Sequence, residues 1–190
     1  MDASVLAAIA KWPNVPAVFG WLQLTARGEW RIRGERIGNA AIRDFIGRNY
    51  AHDERGRWVF QNGPQRVYVE LEVAPWVVRI DGAGALSAHT GQAPTSCRGA
   101  ALLDDGRVVL DTDLGAALVD DRDAATFVRA ITDSAGRPLA ERGLERWIEG
   151  RDEAFVAPVR LRLAGAPARI ERLRADELEA RYGFVRCPGP

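Results

Sequence analysis

The chain has 190 residues, 47% of them apolar, which is enough for two small hydrophobic cores rather than one of ordinary size. Its 26 basic residues balance 26 acidic ones, so there is no bulk positive field to coat DNA or RNA, and any nucleic-acid or nucleotide contact has to be local. Cys97 and Cys187 lie far apart without metal-ligand spacing, which argues against a zinc site or a disulfide framework, and the apolar run 5–10 stops at Lys11, too short for a signal peptide or a membrane span. The expectation is a cytoplasmic protein in a reducing compartment, with no membrane partner and no cofactor.

The first element is a short helix over residues 4–12, ended by Pro13, and a strand follows over 21–25. Trp30 and Ile32 alternate with Arg31 and Arg33, a period of two that puts the apolar pair on the core side and the guanidiniums opposite. Gly34 closes the turn, Asn39 caps a helix, and Ile42, Phe45 and Ile46 form its apolar stripe. A strand over 57–61 has Trp58 and Phe60 on one face. After the turn 62–64, Val67, Val69, Leu71 and Val73 face one way while Arg66, Tyr68, Glu70 and Glu72 face the other. Ala74-Pro75 interrupts the pattern before a strand over 76–80 anchored by a buried Trp76.

Residues 83–99 are rich in Gly, Ala, Ser, Thr and Pro without periodicity, and read as a linker between an N-terminal domain, 1–82, and a C-terminal one, 100–190. The second half repeats the plan of the first. A strand over 100–103, an Asp-Gly hairpin at 104–106, its partner over 108–110 and a strand over 116–119 precede a helix capped by Asp123 and striped by Phe127, Val128 and Ile131. A helical piece over 144–148, an alternation at Val159, Leu161 and Leu163, and a last helix over 176–182 complete the chain. Turns this short do not permit parallel crossovers between consecutive strands, so the expected fold is α+β, two small and mostly antiparallel sheet-plus-helix domains with a duplicated core.

Gly28, Trp30, Gly34, Ile37 and Gly38, a short helix, and then the stretch 64–76 resemble the bacterial domain-of-unknown-function family 1285 or a sister family, chiefly over residues 20–80. The resemblance implies a duplicated α+β core whose second domain is like a pleckstrin-homology barrel. It also implies a site for a nucleotide-like ligand between the domains and a role in signal transduction.

No motif in the chain specifies a reaction. His52 stands beside Asp53 and Glu54, but neighbours on a turn rarely face each other. His89 lies near Ser87, Thr90, Ser96 and Cys97 with no orienting motif, so no catalytic residue is assigned. The aspartates between 104 and 123 fail the calcium-loop spacing and read as turns and a cap, so no metal is assigned either. Charge is distributed unevenly: residues 27–66 hold nine arginines against five acids, and residues 104–123 hold seven acids against two arginines. A sensing module rather than an enzyme is the reading that follows. Arg57, Arg66 and Tyr68, with Trp58 or Trp76 as a stacking wall, would bind a small anionic or nucleotide-like ligand in the interdomain cleft, with Arg31 and Arg33 at its rim. The alternative is an adaptor that binds a protein partner through the barrel-like second domain, and a hydrolase using His52 or His89 trails both.

Overall fold

A computed structural model describes residues 1–133, 135–139, 160–161 and 168–190. The expected helix at 144–148 and most of the alternation at 159–163 lie outside the described residues.

The chain opens with α1 (Ala3–Lys11) and enters a six-stranded sheet. Here β1 (Val18–Leu24), β2 (Trp30–Ile32) and β3 (Glu35–Arg36) form one meander. After α2 (Ala40–Arg48), a second meander follows, β4 (Tyr50–His52), β5 (Trp58–Asn62) and β6 (Gln65–Leu71). The strand order is β3-β2-β1-β6-β5-β4, because β6 returns to lie parallel to β1. Asn39 caps α2 by accepting from the amides of Ala41 and Ile42, as its side chain suits it to do. Phe45 then sets its ring edge-on to Phe60 at 5.5 Å, and Ile46 is buried.

The second half adopts the same topology. The meander β9 (Cys97–Leu103), β10 (Val108–Thr112), β11 (Gly115–Val119) leads through α3 (Ala124–Ala130) to β12 (Ile131–Thr132), β13 (Arg160–Leu161) and β14 (Ala168–Leu173). The last of these returns parallel to β9. The order β11-β10-β9-β14-β13-β12 matches the first sheet strand for strand, which places the duplication in the backbone itself. The α+β reading therefore holds, with a refinement. Consecutive strands pair antiparallel, but each half closes on one non-local parallel pair.

Two further strands, β7 (Trp76–Ile80) and β8 (Leu86–Ala88), extend the second sheet to eight, with β7 parallel to β11. The chain thus passes from one sheet to the other at residues 72–75, and the stretch 83–99 carries β8 and the start of β9. What looked like linker composition is tied down locally: Asp113 accepts from the Thr95 and Ser96 amides and from the Thr95 hydroxyl at 2.7–3.1 Å.

One connected apolar core spans both sheets. The C-terminus interlocks them: after α4 (Leu178–Tyr182) the chain crosses back, the Val185 amide donates to Gly56 O at 3.0 Å, and Arg186 O accepts from the Leu71 amide at 2.8 Å. Gly56 has φ 73, and a Cβ there would stand 2.2 Å from Gly183 O, so glycine is required on two counts. Among the described residues no helix is long and apolar enough to cross a membrane.

Three local expectations are corrected. Ile32 is 44% exposed and Ile42 47% exposed, because both lie at the margin of the first sheet, where none of the described residues covers them. Arg33 leaves the strand and sits in the turn with φ 51. Asp123 caps no helix; its carboxylate crosses to the Arg79 guanidinium at 2.6 and 3.1 Å, and Asp120 accepts from the Arg122 amide at the start of the turn instead.

Candidate functional site

The two sheets meet along the β1–β2 loop, residues 25–29. Thr25 Oγ1 accepts from the Glu29 amide at 3.1 Å, and Gly28 takes φ 72, closing a tight hairpin. A Cβ on Gly28 would approach His89 Cβ to 2.7 Å, so the missing side chain lets this loop seat against the segment after β8. From the loop, Arg27 reaches across to Asp121 of the second half at 2.8 Å.

Around that crossing lies a cavity of about 340 Å3, walled by Arg27, Arg36, Arg43 and Arg122 with Glu29, Asp44, His89 and Thr90. Arg36 pairs with Glu29 at 3.1 Å, and Arg122 pairs with Asp120. The Arg122 guanidinium holds the buried Asp120 carboxyl down at about 2, against an opposing contribution from burial. Arg43, half-buried on the first turn of α2, has no carboxylate partner among the described residues. Among the described residues the walls hold four guanidiniums and two carboxylates, and Arg27, Arg36 and Arg122 are each already paired with a carboxylate, so the cation left over is Arg43. On the other side of Arg27 and Glu29 a second cavity, about 560 Å3, brings Arg31 and Arg107 opposite Glu72.

Behind the first cavity an aromatic cluster fills the seam. Trp30 packs edge-on to Tyr50 at 5.1 Å, Tyr50 and Trp76 are 5.6 Å apart, and Trp58 and Trp76 5.4 Å. The His89 ring lies 5.2 Å from Trp30. The Val77 amide donates to His89 Nδ1 at 3.3 Å, which leaves the proton on Nε2, where it is buried without an acceptor. Burial drives the His89 pKa down to about 4, so the imidazole is neutral at pH 7.

The five residues singled out from the sequence separate into three places, and none lines the cavity. Arg57 and Tyr68 come together: Arg57 donates to the Tyr68 hydroxyl at 2.9 Å, stacks over its ring, and binds Asp53 at 2.8 Å. Tyr68 is buried rather than facing a cleft, because Phe19 stacks on it at 4.3 Å from the other side. Trp58 and Trp76 also come together, but within the core, with no free face for a base. Arg66, two residues before Tyr68 on β6, is exposed. Of the two arginines expected at the rim, Arg31 reaches the neighbouring cavity and Arg33 does not.

His52 Nδ1 lies 3.1 Å from Asp53 O, and the Asp53 carboxylate is engaged by Arg57, so the His-Asp neighbours make no acid-base pair. Cys97 donates to Gly99 O, and burial pushes its thiol up to about 11, away from nucleophilic character at neutral pH. No cluster of three or more His, Cys, Asp or Glu able to hold a metal occurs among the described residues. Sequence reasoning missed Arg27, Arg36, Arg43 and Arg122. The excess of arginine in residues 27–66 was the available signal, and it could not say which of the nine would meet across a seam.

The sequence model of a family described as "DUF2944: Protein of unknown function (DUF2946)" matches residues 1–189. Among solved structures, a DUF1285 family protein from Silicibacter pomeroyi DSS-3 is similar with a TM-score of 0.54 at 15% identity, covering 89% of this chain and 94% of that one. A DUF1285 family protein from Shewanella baltica OS155 aligns with a TM-score of 0.44 at 18% identity, over 56% of this chain and 89% of its own. The first likeness shows a shared fold. No curated protein matches the chain.

Proposed function

We propose, for a chain that belongs to the DUF2944 family, whose description assigns no activity, that it is a ligand-responsive module binding a small anion in the cleft between its two sheets. The observation that carries this reading is the meeting of Arg27, Arg36, Arg43 and Arg122 around one cavity at the seam, with Arg43 lacking a carboxylate partner among the described residues. Guanidinium forks suit phosphate or carboxylate oxygens in paired geometry. A cavity of about 340 Å3 is at the small end for an organic ligand. Trp30, its only aromatic neighbour besides His89 among the described residues, is 2% exposed and offers no face for stacking. The reading therefore keeps the anion of the sequence-based expectation and drops the stacked base.

Because Arg27 and Arg122 reach the cavity from different sheets, a bound anion would draw the halves together and stabilise the closed arrangement by mass action. Thermal unfolding with inorganic phosphate, pyrophosphate, citrate and nucleoside monophosphates tests this. At least one of these anions should raise Tm in a concentration-dependent way. Loss of a charge-assisted contact in Arg43→Ala should weaken binding roughly tenfold or more, while Arg66→Ala should bind as the parent does. Equal affinity of Arg43→Ala and the parent, or no shift with any of these anions, would remove the proposal.

A further inference from the structure

On the first sheet, away from the arginine cavity, the turn between β2 and β3 is built from an unexpected residue. Ile32 pairs with Glu35, so Arg33 and Gly34 are the two turn residues, with φ 51 and 84. A turn with two positive φ values favours Asn-Gly, since asparagine tolerates the left-handed region and a long side chain gains nothing there. Arg33 is the one non-glycine residue with positive φ among the described residues. Such strain persists where the side chain is needed, and strained backbone clusters at binding sites.

What the strained position provides is visible. The Arg33 guanidinium stacks on the Trp21 ring, 3.8 Å from its centroid, and has no carboxylate partner among the described residues. Trp21 is 47% exposed. With Ile32 and Ile42, also close to half exposed, it borders a cavity of about 190 Å3 whose floor is Ile46 and Phe60. A closed apolar cavity of about 150 Å3 holds a benzene ring, so this one has room for a single bulky side chain. At one end the space reaches the Asn62 side chain, an amide able to bond a peptide group. Beside the cavity, at the β2–β3 turn, stand the Arg33 cation stacked on Trp21 and, next to it, Glu35, the cross-strand partner of Ile32.

We infer that this surface is a docking site for a short segment of a partner protein, carrying one large apolar residue beside an acidic residue that pairs with Arg33. Trp21 and Arg33 form one wall of the socket, and the stack keeps the guanidinium flat and partly desolvated, which strengthens its pairing with a carboxylate. A second copy of this chain is the weaker occupant. The edge strand beside the patch is two residues long and consists of Glu35 and Arg36, a charged and blunted edge that resists continuation of the sheet.

The test uses the whole chain and a phage-displayed library of random dodecapeptides. Enriched sequences should share a single Leu, Ile, Phe or Trp next to an acid. Synthetic copies should lose about tenfold or more in affinity for Ile42→Glu, a substitution at an exposed helix position. The decisive variant is Arg33→Asn, which should bind at least about tenfold more weakly while unfolding at the same or a higher temperature, since asparagine relieves the strain. A merely structural Arg33 would instead lower Tm and leave binding unchanged. No enrichment over bare support, equal binding by Ile42→Glu, or a dimer in sedimentation that Ile42→Glu converts to monomer would each overturn the inference.

Discussion

The two halves share a backbone plan and differ in what their first hairpins do with it. In the first, Leu24 and Trp30 close a loop with Gly28 at φ 72; in the second, Leu102 and Val108 close a loop with Gly106 at φ 83, and both loops bond end to end in the same way. Arg27 of the first loop reaches the other half, whereas Arg107 of the second folds back on Asp105 of its own turn. Trp30 fills the seam, while at the matching position Val108 borders a cavity of about 650 Å3, lined among the described residues by Leu102, Leu103, Phe127 and Val128. Hydrogen bonding within a hairpin fixes its path and leaves the outward side chains free to diverge. One copy of the plan has thus become the joint, and the other has kept its polar contacts to itself.

That contrast can be broken most forcefully by making the first hairpin resemble the second. Trp30→Val removes most of a ring that is 2% exposed and packed on Tyr50 and His89, and should cost about 3–4 kcal/mol in urea unfolding. Val108→Ile should change stability by less than about 1 kcal/mol, since its surroundings have room. A loss under about 1 kcal/mol for Trp30→Val would mean that the seam does not depend on this ring.

The paired glycines sharpen the comparison. Both have positive φ, so alanine should cost about 1 kcal/mol at either from backbone strain. Gly106 has nothing within 4 Å of a new Cβ, whereas at Gly28 the methyl would meet His89 at 2.7 Å. Gly28→Ala should therefore lose about 2–3 kcal/mol and Gly106→Ala only the smaller amount. Equal losses would show that the loop seats less tightly on His89 than its geometry requires.

The remaining effect is a dependence on acid. Burial depresses His89 to about 4, below the ordinary value near 6.5, so between these the unfolded chain binds the extra proton and the folded one does not. Stability from the neutral ring is complete above pH 6.5 and is lost as pH falls towards 4, by about 2 kcal/mol once partial exposure of the side chain is allowed for. Protonation would also break the bond in which Nδ1 accepts from Val77. Unfolding of the parent and His89→Phe at pH 7 and pH 4.5 measures it: the variant should lose markedly less on acidification, and equal losses would assign the effect elsewhere.

Much of the local structure was determined by the sequence alone, because turns, caps and alternation depend on residues a few positions apart. Gly28, Gly34 and Gly106 mark the turns they make, Asn39 caps α2, and the repeated order of strand, turn, strand and helix announced the duplication. A further local signal was available: Asp53-x-x-Gly56-Arg57 recurs as Asp133-x-x-Gly136-Arg137, and in both the aspartate binds its own loop amides and the arginine Nε. The tertiary structure alone decided the rest. Alternation along β6 cannot tell a cleft from a second covered face, so only packing showed Tyr68 closed between Phe19 and Arg57. Composition cannot say which sheet an apolar strand joins, and β7 and β8 went to the second. The four arginines at the seam come from a hairpin loop, a strand, a helix and a turn, spread from residue 27 to residue 122. No spacing in the sequence could join them, because their neighbourhood exists only once the parallel return strands have closed each half and the 25–29 loop has seated against His89.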